Sequence, residues 1–155
     1  MNVYPHISDF LKCHQDRPQD LVFTNGCFDL LHVGHVRYLY RSRELGSFLV
    51  VGLNTDDSVR RLKGHSRPVT PQNERAEILE ALSFVDAVVF FDEDTPLELI
   101  SELKPGILTK GGDYRKENVI GADLVEQNGG KVVIIPFEPG YSTSDLLQRV
   151  SHRSV

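Results

Sequence analysis

The sequence predicts an α/β protein with a three-layer fold, in which helices flank a parallel sheet of about five strands. Short, continuously apolar segments alternate along the chain with segments of helical periodicity. This alternation is typical of parallel strands that are buried on both faces. The length of 155 residues suits one domain over residues 1–155, with its core at about 21–150 and a short N-terminal extension at 1–20.

The predicted elements follow one another closely along the chain. The predicted strands cover residues 21–24, 48–53, 86–91, 107–109 and 132–135. The predicted helices cover residues 34–45, 56–62, 71–82, 95–104 and 121–128, and a last helix begins near Ser142. Thr70 and Thr95 each precede a proline at a helix start, and both threonines are therefore predicted N-caps.

The carboxyl ends of the predicted strands indicate where a ligand should bind. In open parallel sheets, ligands bind in the crevice outside these ends. The first, second, fourth and fifth predicted strands are followed by loops that are rich in glycine, hydroxyl groups or cations. We therefore expect these loops to converge on one binding site.

The loop after the first predicted strand has the strongest signal for phosphate binding. It contains Asn25 and Gly26, and then the motif His32-x-Gly34-His35 (HxGH) at the start of a helix. The backbone N–H groups and the dipole of a helix N-terminus favour an anion, and two imidazoles can donate hydrogen bonds to phosphate oxygens. Zinc binding by the two histidines is an alternative, but the sequence offers no convincing third and fourth ligand.

Further loops provide charge and hydroxyl-binding groups. Lys63 and Arg67 lie in a polar loop that can close over a polyphosphate, and Arg75 in the next helix either reaches the site or pairs with a carboxylate. Lys110 offers a positive charge, and Asp113 can accept hydrogen bonds from hydroxyl groups. For each loop the alternative is an ordinary solvated loop, turn or helix cap.

Composition and charge argue against several classes of protein. A net charge of -5 and a pI of about 5.6 argue against a broad nucleic-acid-binding face. The apolar runs are too short to cross a bilayer, and the N-terminus does not have the pattern of a secretory signal. Two cysteines cannot form a disulfide framework. We therefore expect a cytoplasmic protein that binds neither nucleic acid nor membrane.

The sequence NGCFD at residues 25–29, followed by the HxGH motif, resembles the cytidylyltransferase-like nucleotidyltransferase family. The resemblance extends over residues 21–150 and implies a Rossmann-like fold. Further segments resemble the adenylyltransferases of this family that act on D-glycero-β-D-manno-heptose 1-phosphate. They lie at residues 62–64, 67–69, 93–96, 110–114 and 142–143.

The resemblance implies an enzyme that transfers AMP from ATP to this heptose 1-phosphate, giving pyrophosphate and ADP-heptose for lipopolysaccharide core biosynthesis. The implied cofactor is Mg²⁺, which would arrive on the triphosphate without dedicated protein ligands. The implied catalytic residues are His32, His35 and Lys110. The implied nucleotide-binding residues are Thr24, Asn25, Gly26, Phe28, Asp29, His32, Gly34, His35, Gly111, Gly112, Asp113, Ser142 and Thr143. The implied sugar-phosphate-binding residues are Asp29, Asn54, Lys63, Arg67, Arg75 and Tyr114.

Two alternatives to this function stay open. The first is a cytidylyltransferase that acts on glycerol 3-phosphate or a similar small phosphate, and the second is a nucleotide-binding module without catalysis. If the heptose function holds, ATP and heptose 1-phosphate are the ligands. Since only about 20 residues precede the first predicted strand, we expect a separate sugar kinase to supply the acceptor. A homodimer is also expected.

Overall fold

The structure, a computed structural model, describes residues 2–136, 140, 146–148 and 150. All strand pairs are parallel, and the sheet order is β1-β4-β3-β2-β5-β6. The strands are β1 Val3–Tyr4, β2 Leu21–Gly26, β3 Phe48–Asn54, β4 Ala87–Phe91, β5 Ile107–Gly111 and β6 Lys131–Ile135. The helices are α1 Ile7–Cys13, α2 Val33–Arg43, α3 Asp56–Lys63, α4 Gln72–Glu80, α5 Leu97–Leu103 and α6 Ala122–Gln127, with a 3-10 turn at Lys116–Asn118.

The three-layer arrangement follows from the alternation of side chains along the central strands. Phe23 and Val50 belong to one buried apolar cluster, whereas their neighbours Val22, Leu49 and Val51 belong to another. Because successive side chains of a strand point to opposite faces, the two clusters lie on opposite sides of the sheet. Helices α1, α5 and α6 contribute to the first cluster, and α2 and α4 to the second. The predicted Rossmann-like α/β fold is confirmed.

Residues 3–13, which fall within the predicted N-terminal extension, pack on the sheet. The strand β1 pairs with β4, and α1 contacts both α5 and β4. Phe10 of α1 is fully buried, and its ring stacks on that of His14 with 4.4 Å between the centroids. These residues therefore add a sixth strand to the predicted sheet; two residues are too few to show a strand periodicity in the sequence.

The predicted N-caps at Thr70 and Thr95 are wrong. Pro71 and Pro96 occupy the N-cap positions of α4 and α5, and neither helix has a side-chain cap hydrogen bond. Thr70 lies in the preceding loop, where its backbone N–H donates to a carboxylate oxygen of Asp29 at 2.9 Å. A tertiary contact thus fixes Thr70 outside the helix.

The connection order places a topological switch point between β2 and β5. Strand β2 pairs with β3 on one side and with β5 on the other. The chain runs outward from β2 through β3 to β4, and then returns to the other side of β2 for β5 and β6. Such a point opens a crevice at the carboxyl edge of the sheet. Within the described part of the chain, no helix is long and apolar enough to cross a membrane.

Candidate active site

Two adjoining cavities open at the switch point between β2 and β5. The small cavity has a volume of about 210 Å³ and the large cavity about 430 Å³. Their shared wall is formed by Asn25, Gly26, Cys27, Lys63, Lys110 and Tyr114. The small cavity is completed by Phe28, Asp29, His35, Tyr38 and Gly111. The large cavity is completed by Asn54, Leu62, Phe91, Asp94, Pro96, Asn118, Val119 and Ile120.

The HxGH motif forms the N-terminus of α2 beside the small cavity. His32 is the N-cap, and its Nδ1 accepts a hydrogen bond from the backbone N–H of Gly34 at 3.1 Å. The Nδ1 of His35 accepts from the backbone N–H of His32 at 3.4 Å. Because both Nδ1 atoms act as acceptors, the neutral rings are assigned a proton on Nε2. Each imidazole therefore has a donor on the ring edge opposite the helix cap.

Burial controls the charge of His35. It lowers the pKa of this imidazole from the ordinary value of 6.5 to about 4, and the nearby positive charges of His32 and Lys63 act in the same direction. The rings of the two histidines stack with 3.8 Å between their centroids. His35 is therefore neutral at pH 7 in the absence of an anion, and it can act there as a hydrogen-bond donor.

Two lysines give the shared wall its positive charge. Lys63 is the last residue of α3, and Lys110 lies near the carboxyl end of β5. The Nζ of Lys110 lies 5.6 Å from the ring centroid of Tyr114, a cation–π distance. Burial lowers the pKa of Lys110, although the neighbouring Cys27 thiol raises it in part. Both lysines face both cavities, and an anion in either cavity meets them.

Asp29 and Arg67 hold the loop that follows α3. One carboxylate oxygen of Asp29 accepts from the backbone N–H groups of Val69 at 2.7 Å and Thr70 at 2.9 Å. The other lies 2.5 Å from the Nε of Arg67 in an ion pair that is almost closed to solvent. Asp29 lines the small cavity, but both of its oxygens are engaged by this loop. The structure thus gives this pair a role in positioning the loop.

Arg75 lies inside the protein and lines neither cavity. Its side chain is fully buried, and its Nη1 donates to the backbone carbonyls of Cys27 at 2.5 Å and Asn54 at 3.0 Å. Its Nε donates to the carbonyl of Thr70 at 2.9 Å, and its Nη2 pairs with the carboxylate of Asp56 at 2.7 Å. Of the two expectations for Arg75, pairing with a carboxylate is observed, with Asp56 as the partner, and contact with a sugar phosphate stays a prediction.

Thr24 lies beneath the site, in a buried cluster of hydroxyl groups. Its Oγ1 is 2.7 Å from the hydroxyl of Tyr38, which donates to the Oγ1 of Thr109 at 3.2 Å. Ser42 completes the cluster, 3.1 Å from Thr109. These contacts join β2, β5 and α2 under the small cavity. The side chain of Thr24, predicted to bind nucleotide, is fully buried and lines neither cavity.

The remaining predicted nucleotide-binding residues lie in the later loops. Gly112 adopts a φ of 112° in the turn after β5, a conformation that favours glycine. The exposed Asp113 follows it and is absent from the walls of both cavities. Ser142 and Thr143 lie outside the described residues, and their predicted contacts remain a prediction.

Asn54 and Cys27 contact each other in the wall of the large cavity. The Oδ1 of Asn54 lies 3.8 Å from the Sγ of Cys27, and its amide nitrogen donates to the Oγ of Ser58 at 2.9 Å. Asn54 is 4% exposed, so its position is fixed by these neighbours. It presents a rigid polar surface at the carboxyl end of β3.

Several residues that line the cavities were not predicted from the sequence. Asp94 and Pro96 follow the third predicted strand, whose loop was not among those expected to form the site. The rule for the carboxyl ends of parallel strands applies to this loop too, so a signal was available. No sequence pattern distinguished the 118–120 segment. The other unpredicted lining residues are Tyr38, Leu62 and Phe91.

A metal centre built from side chains is absent from the described part of the chain. No group of three or more His, Cys, Asp or Glu residues suited to a metal ion occurs there. His32 and His35 instead use their Nδ1 atoms to cap α2. This arrangement does not have the ligand set of a structural zinc site.

Comparison with known proteins identifies the family. The model of the cytidylyltransferase-like family matches residues 23–149. The chain belongs to this family. This cytidylyltransferase-like chain is 57% identical, over 95% of its length, to the bifunctional protein HldE of Syntrophotalea carbinolica. The chain spans about 30% of the length of the curated relatives it matches.

Two solved structures resemble this cytidylyltransferase-like chain. A lipopolysaccharide core biosynthesis protein from Thermoplasma volcanium is 32% identical with a TM-score of 0.60, and the match covers 76% of this chain and 95% of that one. The pantoate-beta-alanine ligase of Francisella tularensis has a TM-score of 0.65 at 13% identity, covering 93% of this chain and 69% of that one. The second likeness shows the fold alone.

Proposed function

We propose that this chain is an adenylyltransferase that transfers AMP from ATP to D-glycero-β-D-manno-heptose 1-phosphate and releases pyrophosphate. The product, ADP-heptose, would serve lipopolysaccharide core biosynthesis. The observation that carries the proposal is the pair of cavities joined at Lys63 and Lys110, one beside the HxGH helix start and the other larger and mostly uncharged. The names of the HldE relatives and of the Thermoplasma protein support the choice of acceptor.

The reaction needs little help from a general base. The nucleophile is a phosphate oxygen of the acceptor, and the second pKa of a phosphate monoester is about 6. The acceptor is therefore mostly ionised at neutral pH. It attacks the α-phosphorus of ATP, the bond to the acceptor oxygen forms, and the bond to the departing pyrophosphate breaks. The protein must bring two anions together and stabilise the charge that develops on the phosphoryl oxygens.

The residues around the shared wall suit this task. The Nε2–H of His35, a residue that lines the small cavity, lies on the ring edge opposite the cap, next to the backbone N–H groups at the N-terminus of α2. We assign these donors to the triphosphate in the small cavity. Lys63 and Lys110 contact both cavities and would neutralise the two phosphate groups as they approach.

The nucleotide is proposed to enter as MgATP. The described residues do not form a metal-binding group of their own, so the ion would be held mainly by the phosphate oxygens of the substrate. Bound there, Mg²⁺ would offset the charge of the triphosphate. The proposal also includes a cytoplasmic location, a homodimer and a sugar kinase as the source of the acceptor.

Pyrophosphate release tests the proposal directly. The purified protein would be incubated with Mg²⁺ and each combination of ATP or CTP with heptose 1-phosphate or glycerol 3-phosphate. We expect turnover with ATP and heptose 1-phosphate. Turnover only with CTP would keep the reaction type but refute the nucleotide and acceptor proposed here. If no combination releases pyrophosphate but calorimetry shows that ATP binds, a nucleotide-binding module without catalysis is favoured instead.

A further inference from the structure

The large cavity has one end lined by cationic side chains and one end whose lining contains none. Lys63 and Lys110 lie in the wall that it shares with the small cavity. The rest of its wall is apolar, amide or acidic, and consists of Asn54, Leu62, Phe91, Asp94, Pro96, Asn118, Val119 and Ile120. At that end the lining offers a polyphosphate no cationic side chain, and the adjacent Arg61 is already paired with Asp92 and Asp94, whereas an uncharged body with hydroxyl groups would fit. The cationic end suits the phosphate of the same molecule.

Asp94 is the acidic residue in this wall. Its Oδ1 accepts a hydrogen bond from the Nε of Arg61 at 3.1 Å, and its side chain is 69% exposed. An ionised carboxylate accepts hydrogen bonds but cannot donate them. It therefore binds hydroxyl groups and repels phosphates. Hydrogen bonds to a charged group are also stronger than those between neutral groups. Asp94 therefore has the chemistry to distinguish a polyol from a phosphate chain.

Asp92 provides an internal comparison for Asp94. Both carboxylates pair with Arg61, Asp92 at 3.2 Å and Asp94 at 3.1 Å. Asp92 lines a different cavity, near the N-terminal segment, and does not contribute to the large cavity. The two side chains thus share a residue type, an exposed setting and an ion-pair partner, but only one of them faces the proposed acceptor.

We propose that Asp94 determines acceptor specificity: its carboxylate accepts hydrogen bonds from the hydroxyl groups of the sugar and keeps the triphosphate out of the large cavity. The inference rests on the proposed function. It orients the acceptor with its phosphate at Lys63 and Lys110 and its sugar body towards Asp94. The acceptor phosphate then lies at the shared wall, next to the triphosphate in the small cavity.

Steady-state kinetics of Asp94→Ala and Asp94→Asn test this assignment. The KM for heptose 1-phosphate should rise about tenfold or more in Asp94→Ala, because the loss of a hydrogen bond to a charged group costs at least this factor. Asp94→Asn keeps an acceptor oxygen without the charge and should show a smaller rise. The KM for ATP should stay within about twofold of the wild-type value in both variants. Asp92→Ala is the matched control and should leave both KM values unchanged.

The outcomes separate this assignment from the proposed function. If the wild-type protein releases pyrophosphate from ATP and heptose 1-phosphate but Asp94→Ala keeps the acceptor KM, the assignment of Asp94 is overturned alone. An equal rise in Asp92→Ala would attribute the effect to Arg61 and would overturn it too. If only the KM for ATP rises in the Asp94 variants, Asp94 contacts the nucleotide and not the acceptor, and the assignment is overturned. A wild-type protein that is inactive with this pair would overturn both inferences.

Discussion

In each histidine of the HxGH motif, Nδ1 caps the helix and Nε2 carries the proton that can be donated to a ligand. Helix N-caps are usually short residues, Ser, Thr, Asp or Asn, whose side-chain oxygen accepts the cap hydrogen bond. Here the Nδ1 atoms of His32 and His35 accept from backbone N–H groups at the start of α2. The cap therefore fixes the tautomer and aims an Nε2–H from each ring. Gly34 between them leaves room for a ligand at the helix terminus.

Replacement of His35 should affect turnover far more than stability. In His35→Ala we expect kcat to fall about 10²–10³-fold, since one preorganised donor to the developing charge is lost. The free energy of unfolding should fall by about 1 kcal/mol, the usual effect of removing a helix cap interaction. Pyrophosphate release and urea unfolding measure the two effects. His65→Ala, an exposed histidine in the loop after α3, is the control and should leave both unchanged. Near-normal turnover in His35→Ala would refute the assigned role.

The charge state of His35 gives a prediction that needs no substrate. Because burial lowers its pKa from 6.5 to about 4, the unfolded chain binds this proton more strongly than the folded protein does between these pH values. This group therefore reduces stability as the pH falls from 6.5 towards 4, and has no such effect above that window. Nitrogen-15 NMR should show the Nε2–H tautomer at pH 7 and a protonation midpoint near pH 4. A midpoint near 6.5, or an Nδ1–H tautomer, would contradict the geometry of the cap.

At the scale of the elements, one buried guanidinium joins the segments that form the site. Arg75 on α4 donates to backbone carbonyls after β2 and at the end of β3, to the carbonyl of Thr70, and to a carboxylate on α3. The ends of parallel strands leave carbonyl groups without a partner in the sheet. A guanidinium has several donors in a rigid plane and can serve such groups at once. Arg75 thus holds the segments of the site in place although it lines neither cavity.

Removal of Arg75 should therefore destabilise the whole protein. We expect Arg75→Ala to lower the free energy of unfolding by about 3–5 kcal/mol, because it leaves a carboxylate and several buried carbonyls without their donor. Arg60→Ala is a matched control on α3, where an exposed i,i+3 ion pair with Asp57 should contribute less than about 0.5 kcal/mol. Urea unfolding compares the two variants. Similar small losses in both would mean that the network around Arg75 adds little.

At the scale of the molecule, most of the sheet could be predicted because its strands are short, apolar and separated by helices. The central strands β2 and β3 begin at the predicted residues 21 and 48. The strand β1 could not be predicted, since its two residues become a strand only through pairing with β4. A tertiary contact with Asp29 likewise holds Thr70 outside α4, and local capping rules gave the wrong residue at both Thr70 and Thr95.

The position of the site could be predicted better than the role of each residue in it. Loop order along a parallel sheet is enough to bring Asn25, Lys63 and Lys110 together. Burial depends on packing across the whole molecule, and a sequence does not show it. For this reason the sequence left open whether Arg75 reaches the site or pairs with a carboxylate, and it did not show that the side chain of Thr24 is buried.

The N-terminal residues should be part of the cooperative fold, although the site lies elsewhere in the molecule. Phe10 on α1 is fully buried against the side of the sheet covered by α5, and the edge strand β1 is separated from the switch point by β4 and β3. Phe10→Ala should therefore lower the free energy of unfolding by about 3–5 kcal/mol. At a temperature where the variant is folded, kcat should stay close to that of the wild type. Leu97→Ala, an exposed position on α5, is the control and should change stability by less than about 0.5 kcal/mol. If Phe10→Ala lowers the free energy of unfolding by less than about 1 kcal/mol, residues 3–13 are a dispensable extension. A large fall in kcat would mean that packing at this edge of the sheet affects the site.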